Sequence, residues 1–280
     1  MRVFDVVVWC FLGGVTAFGQ EGGGRATQAP PPPTETVAPN IPGVVAGGKV
    51  QVFKIASTTE GPIAMPDGSV LFTETAANRV WRIDKDDKVS LFLENTGGAL
   101  GLGFDSKGRL IATGQRKISV IYPKGQEAVL ADNFNGEPLG LPNDLVVSKN
   151  GGVYFTAPGP NAEQLKEGSL PAEPAVFYIP PGGKAIKVAD FMTNDRVRGR
   201  PNGIQLSPDE KTLYVNNSWG EYLIAYDIQP HGTVRNRRNF GKYELVKRAE
   251  TVESWIGPAP GSALCFDDYL RAIAHYPRAS

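Results

Sequence analysis

The sequence predicts an all-β fold, a β-propeller of the six-bladed type, with about five blades recognisable in this chain. Three observations carry the prediction. A two-hairpin pattern recurs four times, its turns are spaced by roughly one blade, and turn-forming residues run in excess through the whole body of the chain. The 33 glycines and 23 prolines make 56 of 280 residues, 20%, against roughly 12% in average usage. That excess favours many short strands over long helices.

Each copy opens on Gly or Pro, alternates apolar residues into a polar turn, and alternates again on the way out. The first runs Gly61-Pro62-Ile63-Ala64-Met65-Pro66-Asp67-Gly68-Ser69-Val70-Leu71-Phe72-Thr73, and the second runs from Gly101 to Thr113 around Gly108. The third runs from Pro142 to Thr156 around Gly151, and the fourth from Pro201 to Val215 around Glu210. The first three turns are 40 and 43 residues apart, and the fourth follows 59 later, with the excess in polar insertions around 157–173 and 190–200. A partner run completes each blade: Arg79–Ile83, Ile118–Tyr122, Ala175–Ile179 and Tyr222–Asp227. Period-2 alternation in all of them is the strand signature.

The flanks are unlike this body. Residues 1–19 read as an export signal, with Arg2 ahead of the apolar run Val6-Val7-Val8-Trp9-Cys10-Phe11-Leu12 and small residues leading to Ala17-Phe18-Gly19. The run is too short for a permanent bilayer span, so the expectation is an exported protein, periplasmic or secreted, without stable membrane insertion. Residues 20–48, with Gly22-Gly23-Gly24 and Pro30-Pro31-Pro32-Pro33, read as a disordered tether. The propeller then occupies 49–250 and an unpatterned tail 251–280. Loss of the leader leaves Cys265 as the single cysteine, so no intrachain disulfide is expected. Lys plus Arg total 29 and Asp plus Glu total 29, so no net charge draws the chain to nucleic acid. The partner expected is a small molecule recognised locally, and nothing in the sequence reports the oligomeric state.

The openers carry the chemistry. In a propeller blade the residues just before the innermost strand sit at the mouth of the central channel, and here they present Glu60, Leu100, Asn143 and Asn202. Three of the four offer oxygen ligands; the alternative for each is plain turn chemistry. At these residues the chain resembles the senescence-marker-protein/gluconolactonase/luciferin-regenerating family, six-bladed propellers that bind a divalent cation and hydrolyse lactones. The matching segments are Glu60-Gly61-Pro62, the run PNDLVVSKNGGVYFT from Pro142, and the run RPNGIQLSPDEKTLYV from Arg200. Matched position by position, the resemblance implies a cation held by Glu60, Asn143 and Asn202. The family's fourth ligand, an Asp in a later D-G opener, has no match, so the catalytic proton acceptor is unassigned.

One carboxylate and two amide oxygens make a hard, oxygen-only set, which suits Ca²⁺ first, with Mg²⁺ or Zn²⁺ as alternatives. Such a cation would polarise the carbonyl of a sugar-type lactone for attack by water. Asp144 is a candidate for supporting the ligands from behind, with a local turn contact as the alternative. Glu74 and Asn216-Asn217 read as strand ends. Ala157 stands where relatives often carry Asp, so an axial carboxylate is expected to be lost there, and the family's substrate-contacting Arg is replaced by Leu141, so sugar specificity does not transfer. His231 and His275 read as surface or turn residues, and the Arg196-Arg198-Arg200 and Arg235-Arg237-Arg238 clusters as solvated loops. Beyond residue 248 the repeat stops, which reads as a truncated, frame-shifted or divergent end. Two functions therefore stay open: a metal-dependent hydrolase yielding a sugar acid, or a non-catalytic propeller remnant that binds a ligand or partner.

Overall fold

Every polar turn between the two inner strands is closed by an oxygen acceptor just inside the loop. Asp67 Oδ1 accepts from the Ser69 amide and hydroxyl at 3.0 and 2.6 Å, and Asp105 Oδ1 from the Lys107 and Arg109 amides, both at 2.9 Å. In the third and fourth copies Asn150 Oδ1 and Asp209 Oδ1 do the same for Gly152 and Lys211 at 2.9 and 3.1 Å. Such side-chain bonds imitate a backbone turn and reverse the chain without cost to the strand ladder.

The computed structural model describes residues 59–160, 172–191, 199–218, 220 and 222–242. The leader, the tether, the tail, both cysteines and His275 lie outside them. The first blade comprises β1 (Thr59–Ala64), β2 (Val70–Glu74), β3 (Arg79–Ile83) and β4 (Val89–Glu94). The second comprises β5 (Leu102–Phe104), β6 (Leu110–Gly114), β7 (Lys117–Tyr122) and β8 (Ala128–Ala131). A small ribbon, β9 (Asn133–Phe134) with β10 (Glu137–Pro138), leads to the third blade. That blade is β11 (Leu145–Val147), β12 (Val153–Ala157), β13 (Ala175–Ile179) and β14 (Ile186–Asp190). The fourth is β15 (Pro201–Leu206), β16 (Thr212–Asn217), β17 (Tyr222–Ile228) and β18 (Val234–Lys242). Each is an antiparallel meander in chain order. A single-turn helix at Thr75–Ala77 is the only helical element among the described residues.

The all-β propeller prediction stands, one blade per sequence copy. The described residues hold four blades, one for each repeat copy, and the rest of the 49–250 span in which length suggested about five lies outside them. A second difference concerns Arg235, Arg237 and Arg238. They lie on strand β18, not in a loop: β18 is an outermost edge strand, so it needs no apolar alternation, and exposed charges guard its free edge. His231 is exposed in the turn leading to it.

Successive blades stack through three apolar seams. Ile63, Leu71 and Val80 meet Leu102, Leu110 and Ala112 between the first two blades. Between the second and third, Ile111, Ile118 and Val120 meet Phe155, Phe177 and Ile179, with the Phe155 and Phe177 rings stacked at 5.2 Å. Between the third and fourth, Val176 and Tyr178 meet Ile204, Leu213 and Ile224. Tyr154 stacks on Tyr178 at 4.3 Å and donates its hydroxyl to the Gly232 carbonyl at 2.9 Å; burial holds its phenol well above the ordinary range. Burying one such aromatic contributes about 1.5–3 kcal/mol, so these seams outweigh any single polar contact in fixing blade order.

Candidate metal centre

The innermost strands follow one another in blade order, β1 beside β5, β5 beside β11 and β11 beside β15. The openers they carry therefore share one rim. Glu60 and Asn202 sit within β1 and β15, while Asn143 and Leu100 lie just ahead of β11 and β5. Ladder irregularities follow two of the openers, between Glu60 and Ile63 and between Pro201 and Ile204, so the chain bends as it leaves each. Gly61 makes the first bend possible: its φ is +52°, and any side chain there would collide with the Leu100 carbonyl oxygen.

A continuous run of hydrogen bonds connects the three candidate ligand residues. The Thr73 hydroxyl lies 3.0 Å from the Glu60 carbonyl oxygen and 2.9 Å from that of Leu100, and the Leu100 amide donates to the Thr113 carbonyl at 2.9 Å. Thr113 Oγ1 accepts from the Gly101 amide at 2.8 Å and donates to the Asn143 carbonyl at 2.6 Å. The Asn143 amide donates to the Thr156 carbonyl at 2.9 Å, and Thr156 Oγ1 donates to the Asn202 carbonyl at 2.6 Å. The run passes through all four blades. All three threonines are fully buried.

The donor set fits a hard cation. Asn143 and Asn202 are half-buried. Asn202 donates Nδ2 to the Ser218 hydroxyl at 3.0 Å, which leaves Oδ1 as the group able to coordinate. Among the described residues no hydrogen bond engages the Asn143 side chain or Asn202 Oδ1. Two uncommitted amide oxygens and one carboxylate are donors of the kind Ca²⁺ and Mg²⁺ take. No group of three or more His, Cys, Asp or Glu side chains gathers among the described residues, so this set relies on its amides.

Asp144 acts on the neighbouring blade. It is buried, and its Oδ2 accepts from the Ile204 amide, two residues beyond Asn202, at 3.1 Å. Gly101 leaves it room: a Cβ there would lie 2.5 Å from Asp144 Oδ1. Glu74 ends β2, buried, with Oε2 accepting from the Trp81 indole at 2.9 Å, and Asn217 ends β16, its Oδ1 accepting from the Arg200 amide at 2.9 Å. Leu141 holds φ at +59° two residues before Asn143. A groove of about 600 Å³ lies along the first two blades, lined in part by Glu94, Lys117, Lys124 and Glu127, and it meets the run of bonds only at Thr113. Its charges are of both signs and favour no ionic ligand.

What sequence reading missed is the threonine series. The signal was present, since Thr holds the next-to-last place of the same strand in three successive copies, but threonine in a strand reads as β-branched filler.

The model of the SMP-30/Gluconolactonase/LRE-like region matches residues 58–250. The chain belongs to this family. Among its relatives, a gluconolactonase of Zymomonas mobilis subsp. mobilis is 32% identical over 208 residues, covering 66% of this chain and 57% of that protein. The solved structure of a gluconolactonase from Xanthomonas campestris matches with a TM-score of 0.55 at 27% identity, covering 65% of this chain and 62% of that one. Regucalcin from Agrobacterium tumefaciens, described as a calcium-binding protein, shares the fold with a TM-score of 0.51 at 16% identity, over 65% of this chain and 58% of that one. The chain thus spans about three fifths of the length of the SMP-30/gluconolactonase relatives it matches. No helix among the described residues is long and apolar enough to cross a membrane.

Proposed function

We propose that this protein is a divalent-cation-dependent hydrolase of a sugar-type lactone, with its cation at the propeller rim held by Glu60, Asn143 and Asn202. Membership of the gluconolactonase family supports the reaction class. The observation that carries the site is the run of hydrogen bonds through Thr73, Thr113 and Thr156, which links the backbones of those three residues across four blades.

The chemistry follows from the donors. Ca²⁺ takes six to eight oxygens, so three protein ligands leave places for water and for substrate. When bound, the cation would supply Lewis acidity to the lactone carbonyl and stabilise the negative charge that grows on its oxygen as water attacks. Glu60 is the single anion of the set, and the two amides are neutral. The loaded site therefore keeps a net positive charge that attracts a carbonyl oxygen and, after ring opening, the product carboxylate. The ligand class is a small lactone or its sugar acid.

A second reading is a propeller that binds such a ligand without turning it over. One observation favours it: the set holds one carboxylate, and a carboxylate committed to a cation is not available to take a proton from water. Hydrolysis of glucono-δ-lactone by the full chain, followed by pH-stat with Ca²⁺ and then with chelator, separates the two. The hydrolase reading expects turnover that disappears with chelator and returns with Ca²⁺, and that falls at least about tenfold in Asn143→Ala and Asn202→Ala. Turnover insensitive to chelator, or none at all, sinks it; binding without turnover selects the second reading. We further propose that the protein is exported; amino-terminal sequencing of a secreted or periplasmic form beginning near Gln20 would support this, and a full-length cytoplasmic chain would refute it.

A further inference from the structure

We propose that Thr73, Thr113 and Thr156 are positioning residues for the cation ligands, setting the backbone of Glu60, Asn143 and Asn202 through buried hydroxyl bonds. The inference rests on the ligand reading above and adds the residues that make it work. Three observations converge on it. The three threonines occupy the same place in β2, β6 and β12, at the fourth residue of each strand, and each is fully buried. Each hydroxyl reaches the carbonyl oxygen of a ligand residue, at 3.0 Å for Glu60 and 2.6 Å for both Asn143 and Asn202. Each also crosses a blade boundary: Thr73 reaches Leu100 of the second blade, Thr113 reaches Asn143 of the third, and Thr156 reaches Asn202 of the fourth.

A hydroxyl in such a place does what an aliphatic side chain of the same shape cannot. Thr113 and Thr156 accept a backbone N–H from their own opener, Gly101 at 2.8 Å and Asp144 at 3.1 Å, while donating to the next. That fixes the peptide plane on both sides of the seam. A peptide plane held this way sets the direction of the ligand's Cα–Cβ bond, so the side-chain oxygens are pre-aimed and the cation does not have to order them on binding. Asn143 and Asn202 need this most, because their amides carry no charge to pull them onto the cation.

Thr75 provides the comparison. Its hydroxyl also crosses the first seam, donating to the Ala99 carbonyl at 2.9 Å, but Ala99 is not a ligand residue. The experiment is Ca²⁺ titration calorimetry on the full chain, below the melting temperature of each variant, with thermal melts of the chelated forms alongside. Thr113→Val and Thr156→Val are expected to weaken Ca²⁺ binding about tenfold, the serine variants to restore it to within about twofold, and Thr75→Val to leave it unchanged. Thr156→Cys, with a weak thiol donor in the same place, falls between and serves where a valine variant does not fold. Wild-type affinity in both valine variants, or an equal loss in Thr75→Val, overturns the positioning role while the ligand reading stands. If the wild type binds no Ca²⁺, or Glu60→Gln and Asn143→Ala bind it unchanged, the ligand reading falls and this inference with it.

Discussion

Asn143 reaches the rim with an uncommitted amide, and its neighbour Asp144 is already engaged with the Ile204 amide. The two adjacent side chains therefore divide the work, one free to coordinate and one holding the next blade. Replacing the free amide by a carboxylate of the same reach adds a charge to the ligand set without moving it. We expect Asn143→Asp to bind Ca²⁺ about tenfold more tightly than wild type, because ligand charge is a main determinant of affinity in all-oxygen sites. Without cation the new charge lies beside Asp144, so the chelated variant should melt below chelated wild type. Calorimetry and paired melts measure both, and weaker Ca²⁺ binding by the variant would show that Asn143 is not a ligand.

At the scale of the hairpin, the inner turns were legible from sequence because their determinants are local. Asp67, Asp105, Asn150 and Asp209 each bond a backbone amide two residues on, a pattern carried by the turn residues themselves. Strands β3 and β13 likewise have the limits their alternation suggests. The threonine bonds and the edge position of β18 were not legible, since the partners of Thr73, Thr113 and Thr156 lie 13 to 46 residues away, those across the seams at least 27, and a strand's place in its sheet is not written in its own residues. The second blade's turn also has a pH signature. Burial works to raise the Asp105 carboxyl, but the amides of Arg109 and Lys107 and the Arg109 guanidinium, whose Nε lies 2.7 Å from Oδ2, together hold it below its ordinary value of 3.8. A depressed carboxyl contributes stability above its unfolded pKa and loses it as pH falls through the folded value. Asp105→Asn keeps an acceptor for both amides but lacks the charge. It should melt below wild type near neutrality and converge with it below about pH 4, as melts across pH would show; parallel curves would contradict the assignment.

For the whole molecule, the candidate ligands come from the first, third and fourth blades, so a cation bound to all three links parts of the chain more than 140 residues apart in sequence. Among the described residues each repeat copy corresponds to one blade, because each copy carries its own turn and alternating strands, whereas length alone does not separate insertion from strand. In successive stacked sheets whose seams are apolar and whose rim is hydrogen-bonded, a ligand that engages three blades should stabilise those three together, since none of them can leave without breaking the site. A cation at one hundred times its dissociation constant adds about 2.7 kcal/mol to the stability of a folded state that alone binds it. For a domain of this size that corresponds to a rise of about 5–10 °C in melting temperature. Calorimetric melts with Ca²⁺ and with chelator should differ by that amount as one cooperative transition moving as a unit. Glu60→Gln should lose most of the shift, because the single carboxylate supplies the charge. A rise confined to one of two separated transitions would mean that the cation holds one blade alone, and an equal rise in Glu60→Gln would move the cation away from the rim.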